Sequence, residues 1–502
     1  VEAKLAELKR RLIEVNSLQM ARAVLYWDQS TYMPPGGATA RARTMATLSQ
    51  VAHEKFTDDA IGHLLDDLKA YGESLPYDSD DAALIRVTRR EYDRETRLPA
   101  SFVAEQANHY GLLYSAWQKA RPANDFAGIR SLLEKTLDIS RQFSSYYPAG
   151  THVADPLIGI GDPGITAEDI KTLFAALRAE VVPLLNAIMA QPEVDSSFLN
   201  RHYPQDKQLA FGLQVVGDYG YDFNRGRQDL TYHPFLAKFA IGDSRITTRV
   251  REDNLGTALF GTMHEFGHAV YEQGINPDLD GTLLANGTSY AVHESQSRLW
   301  ENLVGRSEGF WKHYYPKLQA QFPEQLSDVS ADAFTRAINK VRRSLIRVEA
   351  DEVTYNLHIM LRFDLELAML EGSLEVRHLP EAWNARYRDD LGVVAPDDRD
   401  GVLQDVHWYA HKIGGSFQSY TLGNILSAQF FDKALEVNPQ IPAEIEQGQF
   451  GTLHTWLREN IYHHGAKFTT NELLDRVGIG QMSIEPYLRY LKGKYQGLYG
   501  LS

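Results

Sequence analysis

Apolar residues recur three and four positions apart along most of the chain, in segments longer than a strand, so the fold must be assembled from amphipathic helices turned toward shared cores. Leu345, Val348, Val353, Leu357, Met360 and Leu361 keep this spacing through a stretch from about 332 to 371 without Pro or Gly, which predicts one long, largely buried helix. Turn-forming residues cluster at 34–37, 148–164, 274–287, 395–401 and 438–451. The passage 148–165 is the expected seam between helical subdomains of a single domain spanning 1–502. Beyond it, Thr166 and Asp169 read as an N-cap and an acidic first turn. Strand signal is confined to SRITTRV, where Ile246, Thr248 and Val250 alternate. The expectation is a mainly α protein with a small β-sheet.

The chemistry open to such a chain is bounded by what it lacks. Among 502 residues there is no cysteine, so a metal must be held by His, Asp or Glu. With 51 basic against 66 acidic side chains the net charge is −15, which argues against a nucleic-acid partner. The N-terminal VEAKLAELKRR is amphipathic and lacks the apolar core of a secretory signal. No run of about eighteen apolar residues marks a membrane span. A soluble, cytoplasmic protein is expected.

Residues 264–268 read HEFGH. Two imidazoles four apart on a helix project from one face, so His264 and His268 can share an ion at about 2.0–2.1 Å. Glu265 between them can then accept a proton from water at that ion. The motif sits on a helical pattern: Asp253 or Asn254 can cap it, Leu255, Leu259, Phe260, Met263, Phe266 and Val270 bury one side, and Gly274 can end it. A third ligand must come from elsewhere. HESQ at 293–296 opens the next helical pattern, but spacing does not choose Glu294 over Glu301.

Several separated motifs occur together: HPF at 233–235, DSRIT at 243–247, HEFGH, HESQ, IRVEAD at 346–351 and GVLQDVHW at 401–408, supported by WDQSTYMP at 27–34, GRQD at 226–229 and FQSYTLGN at 417–424. In these the chain resembles the thermostable, Taq-type metallocarboxypeptidases of peptidase family M32. The resemblance implies a saddle-shaped helical molecule with a long groove and a small sheet at one wall, assembled as a homodimer. It implies His264, His268 and Glu294 as ligands of one divalent ion and Glu265 as general base. Zinc is the ion expected first, and Co²⁺ or Mn²⁺ also suits two imidazoles and a carboxylate.

Peptide hydrolysis creates an oxyanion that wants positioned donors, and His407 and Tyr420 are the candidates by resemblance. Their structural alternatives are a buried hydrogen-bonded His and a core Tyr. A carboxypeptidase must also hold a free terminal carboxylate, for which the Arg347 guanidinium is suited. Its alternative is an intrahelical pair with Asp351, four residues on. His233 and Arg245 are placed by resemblance near the groove, where they would limit how far a substrate extends. Otherwise His233 belongs to a turn and Arg245 is an edge-strand charge. Trp27 and Asp28 read as packing and capping residues. The expected activity is removal of single C-terminal residues from peptides with broad specificity. The rivals are an oligopeptidase cutting internally or releasing dipeptides, and a non-catalytic helical peptide-binding protein.

Overall fold

Several helix starts near the centre of this chain coincide with short polar side chains that accept the first free backbone N–H groups. Asn254 accepts from Thr257 at 3.0 Å, Ser289 from Val292 at 3.1 Å, and Asp351 from Val353 and Thr354 at 3.0 Å each. Thr166 and Asp169 close the reciprocal capping box expected of them. The structure, a computed structural model, describes residues 1–148, 150 and 152–501. It is mainly helical with one three-stranded sheet.

The amphipathic N-terminus begins a helix that runs from Glu2–Thr31. Its Leu5, Leu8, Leu12 and Val15 pack with Ile61, Leu65 and Leu68 as a core separate from the main one. The main core draws on residues from Phe102 to Tyr495. Within 148–165, Ala149 and Thr151 lie outside the described residues. There, fully buried Asp162 accepts hydrogen bonds from Ala291 N at 2.8 Å and Ser419 Oγ at 2.6 Å. That carboxylate ties together the beginnings of the Tyr290–Arg298 and Gln418–Val437 helices, where helix dipoles favour an anion. Among the described residues one helix, Ala167–Met189, is long and apolar enough to cross a bilayer, and its Ile170, Phe174, Leu177, Val181 and Leu185 are buried in the main core.

The sheet has the order β1-β3-β2, from β1 (Gln228–Leu230), β2 (Leu236–Ala240) and β3 (Asp243–Thr248). β3 pairs parallel with β1 and antiparallel with β2, so Ile246 faces Gln228 on one side and Leu236 on the other. Ile246 and Thr248 lie in β3 as expected, but Thr247 between them is buried as well, so burial does not alternate there, and Val250 falls beyond the strand. The sheet meets the Leu255–Gly274 helix through a hydrogen bond of 3.1 Å between the Thr262 and Thr248 hydroxyls.

The long helix expected over 332–371 is two helices, Ala331–Ile338 and Glu352–Glu371. Asn339 ends the first by turning its amide back onto Thr335 O at 2.9 Å and onto Arg306 O at 3.0 Å. Asp351 caps the second. Between them the chain is extended at Ile346 and forms a single 3₁₀ turn at Arg347–Glu349, leaving Val348 67% exposed instead of on a buried stripe.

Candidate metal centre

The Leu255–Gly274 helix carries both histidines of HEFGH on one face, and the Tyr290–Arg298 helix brings Glu294 to them. Donor atoms of His264, His268 and Glu294 all lie within 4.8 Å of one another. Oε2 of Glu294 is 3.7 Å from Nε2 of His264 and 3.4 Å from Nε2 of His268. Two glycines permit this approach. A Cβ on Gly267 would stand 2.5 Å from Gln296 O and from Ser297 Cα, and one on Gly423 would stand 2.6 Å from Glu294 Cγ. The helices flanking Glu294 on both sides therefore come closer than any side chain allows.

The remaining donors and acceptors orient the three. Glu301, left open against Glu294 by spacing, is 2.9 Å from Nδ1 of His264 through Oε2. An ionised carboxylate only accepts, so His264 carries its proton on Nδ1 and turns the Nε2 lone pair toward Glu294. Arg298 Nε donates to Glu294 Oε1 at 2.6 Å, leaving Oε2 to face the imidazoles. Arg306 holds the other oxygen of Glu301 at 3.1 Å. His268 Nδ1 meets Nδ1 of His293 at 2.7 Å, and His293 Nε2 meets Glu272 at 2.9 Å. These second contacts, apart from Glu301, carry no periodic signature and were invisible to sequence reasoning.

The electrostatics favour a cation. Burial opposes charging His264, but Glu294 and Glu301 outweigh it and hold that ring above the usual imidazole range. The carboxylates that would keep a proton there also favour a metal ion. Burial drives His268 down to about 4, so it stays neutral and able to ligate. Burial, reinforced by Glu294 and Glu301 against His264, raises Glu265 to about 7.

A second cluster is joined to the first. Arg298 lies over the Tyr355 ring at 4.4 Å, and Arg347 Nη1 donates to the Tyr355 hydroxyl at 3.2 Å. Arg347 is buried and its Nε and Nη2 grip both oxygens of Asp405 at 2.6 and 3.3 Å. The intrahelical pair with Asp351 does not form, because Arg347 is in the 3₁₀ turn and Asp351 is a cap. Arg362 also reaches Asp405, at 3.1 Å. Asp405 Oδ1 accepts from His407 Nδ1 at 2.5 Å, and His407 Nε2 is 3.3 Å from the Tyr420 hydroxyl. Asp405, two residues before His407 in GVLQDVHW, thus organises the cluster.

Arg245 and His233 are not brought to either cluster by any hydrogen bond or ion pair among the described residues. Arg245 pairs with Asp243 at 2.8 Å and lies 4.6 Å from the Trp27 ring and 4.7 Å from Phe239. Its strand is the central one, so the edge-strand reading of Arg245 is incorrect. His233 is exposed, in the bend before β2, with Nδ1 3.0 Å from Pro234 O. Trp27 is buried as expected, whereas Asp28 lies within its helix and pairs with Arg41 at 2.5 Å instead of capping.

Comparison with known proteins places this geometry. Residues 7–495 match the profile of the family described as Carboxypeptidase Taq (M32) metallopeptidase. The chain is 42% identical over 491 residues to thermostable carboxypeptidase 1 of Thermus thermophilus, covering 95% of each. To carboxypeptidase 1 of Bacillus subtilis it is 36% identical over 489 residues, covering 97% of each. The crystal structure of the M32 carboxypeptidase from Deinococcus radiodurans R1 superposes with a TM-score of 0.96 at 49% identity, over 99% of this chain and 100% of that one. The chain belongs to the M32 family of metallocarboxypeptidases.

Proposed function

We propose that the protein is a zinc-dependent carboxypeptidase that releases single C-terminal residues from peptides with broad tolerance, using Glu265 as general base. The observation that carries this reading is the convergence of His264, His268 and Glu294 donor atoms within 4.8 Å beside buried Glu265. Two imidazoles, of which His264 must give up its Nε2 proton to ligate, and one carboxylate form a donor set that fits zinc, and also Co²⁺ or Mn²⁺. The ion, when bound, supplies Lewis acidity at the scissile carbonyl and makes nearby water easier to deprotonate.

The chain's own groups do the rest. Glu265, raised to about 7 by burial, can take the proton of the attacking water near neutral pH and return it to the leaving amine. His407 and Tyr420 are donors for the developing oxyanion. Burial holds the Tyr420 phenol well above its usual range, which keeps its proton in place to be donated. Arg347 and Arg362 share the single carboxylate of Asp405, leaving one positive charge unmatched in that hydrogen-bonded group. A free terminal carboxylate would match it. Asp405 occupies two N–H groups of Arg347 and Tyr355 a third, so two of the five donors of a guanidinium remain for substrate. On family resemblance alone, His233 and Arg245 bound the groove and the enzyme is a homodimer, and the reading includes a single domain and a cytoplasmic location.

Turnover of a peptide and of its C-terminally amidated form decides between this reading and an oligopeptidase. Loss of cleavage on amidation supports recognition of the carboxylate, and unchanged cleavage removes Arg347 from that role. Glu265→Gln should abolish turnover with the metal retained. Surviving activity in that variant would refute the general-base assignment, and an inactive wild type would favour a peptide-binding protein.

A further inference from the structure

We propose that Lys238, Glu272 and His293 form a directed hydrogen-bond relay that fixes the ring tautomer of His268 and so sets the affinity of the site for its ion. The proposal rests on the metal assignment above and extends the centre from the helices to strand β2. The four groups form an unbroken line. The Lys238 ammonium donates to Oε2 of Glu272 and to Ala285 O. Oε1 of Glu272 is 2.9 Å from Nε2 of His293, and Nδ1 of His293 is 2.7 Å from Nδ1 of His268. Only 12% of the Lys238 side chain and 6% of that of Glu272 is exposed, so water has little access to the bond between them, while His293 and His268 are 21% and 17% exposed.

Each link dictates the next. A carboxylate against a buried ammonium is ionised and only accepts. His293 must therefore carry its proton on Nε2, and its Nδ1 offers a lone pair. Facing that lone pair, His268 must carry its proton on Nδ1. Its own lone pair is then on Nε2, the atom 3.4 Å from Oε2 of Glu294. His264 obtains the same tautomer in one step from Glu301, whereas His268 draws it through a second imidazole from a strand of the sheet. The His293 ring is closely packed, and Gly287 leaves it the room it occupies. Its centroid is 5.1 Å from that of Tyr271, and a Cβ on Gly287 would be 2.7 Å from its Cδ2. Mere packing would require the ring of His293 but not a match for both of its nitrogens.

The test uses the full chain stripped of metal and titrated with zinc against a chromophoric chelator. His293→Phe keeps a ring and removes the acceptor, and should weaken zinc binding about 10- to 100-fold. His293→Asn retains an acceptor oxygen and should recover much of that loss. Glu272→Gln and Lys238→Met should weaken binding in the same direction, each by less. Nitrogen-15 imidazole spectra of the zinc-loaded wild type should show a proton on Nδ1 of His268 and on Nε2 of His293. Wild-type affinity in His293→Phe overturns the relay, as does a proton on both nitrogens of His293. Should His293→Phe not fold, the wild-type spectra and His293→Asn still decide. His264→Ala separates the two claims: if it keeps its zinc, the metal assignment itself fails, whereas its loss of zinc beside an unaffected His293→Phe sinks only the relay.

Discussion

Gly423→Ala places one methyl group where the structure has no room for it. The new Cβ would lie 2.6 Å from Glu294 Cγ and 2.7 Å from its Cβ, where ordinary contacts are 3.4–4 Å, so one helix must yield by about 1 Å. A ligand oxygen held at about 2.0–2.2 Å from an ion does not tolerate that displacement. Zinc affinity should fall roughly 10- to 100-fold, or about 1.4–2.8 kcal/mol. In the absence of metal, overpacking should cost about 1–3 kcal/mol. Helix propensity acts in the opposite sense, favouring Ala over Gly by up to about 1 kcal/mol in a helix interior. Gly493→Ala, in the Glu485–Tyr499 helix with nothing within 4 Å of the added atom, is the control and should stabilise by that amount. Chelator competition gives the affinity, and urea unfolding in EDTA gives the stability. A Gly423→Ala protein that binds zinc as tightly as the wild type and gains stability like the control would refute the claim that this close approach sets the position of Glu294.

Asp405→Asn leaves two buried guanidiniums without their counterion, so unfolding in urea should show a loss of about 3–5 kcal/mol. A loss near zero would mean that Arg347 and Arg362 are compensated elsewhere. Tyr420→Phe should lower kcat about 10²- to 10³-fold with little change in KM, and an unchanged kcat would return Tyr420 to a purely structural role. Burial alone would raise Glu272, but the Lys238 ammonium and the hydrogen bond from His293 outweigh it and hold the folded value at about 2, against 4.5 for the free group. A lowered folded value stabilises above pH 4.5 and loses that stabilisation as pH falls toward 2, by about 3 kcal/mol in all. Metal-free wild type should therefore lose more stability than Glu272→Gln between pH 5 and pH 3, and parallel profiles would contradict this.

HEFGH was legible because the geometry it needs is local: a spacing of four on a helix suffices. Spacing did not single out the proposed third ligand, which only the family resemblance assigned to Glu294, since Glu294 and Glu301 are seven residues apart and share one face of a regular helix. The structure separates them. Glu294 lies on the α-helical part, and the chain passes into a π-helix over Leu299–Val304, with Glu301 directed to Nδ1 of His264. The break after Ile338 was hidden because neither Pro nor Gly marks it. It is made by the Asn339 amide and the Asp351 carboxylate, which bond backbone groups that a continuous helix would use itself. Arg347 consequently answers to Asp405, 58 residues away, and no periodicity reports a contact of that kind. The same holds for Asp162, a member of a Gly/Pro-rich passage that joins two helix starts around the site.

Anomalous diffraction at the zinc edge from crystals of the zinc-loaded protein tests the central claim most directly. A single peak per chain is expected at about 2.0–2.2 Å from Nε2 of His264, Nε2 of His268 and Oε2 of Glu294. A peak bound by other side chains, or one that leaves Glu294 outside bonding distance, would contradict the account.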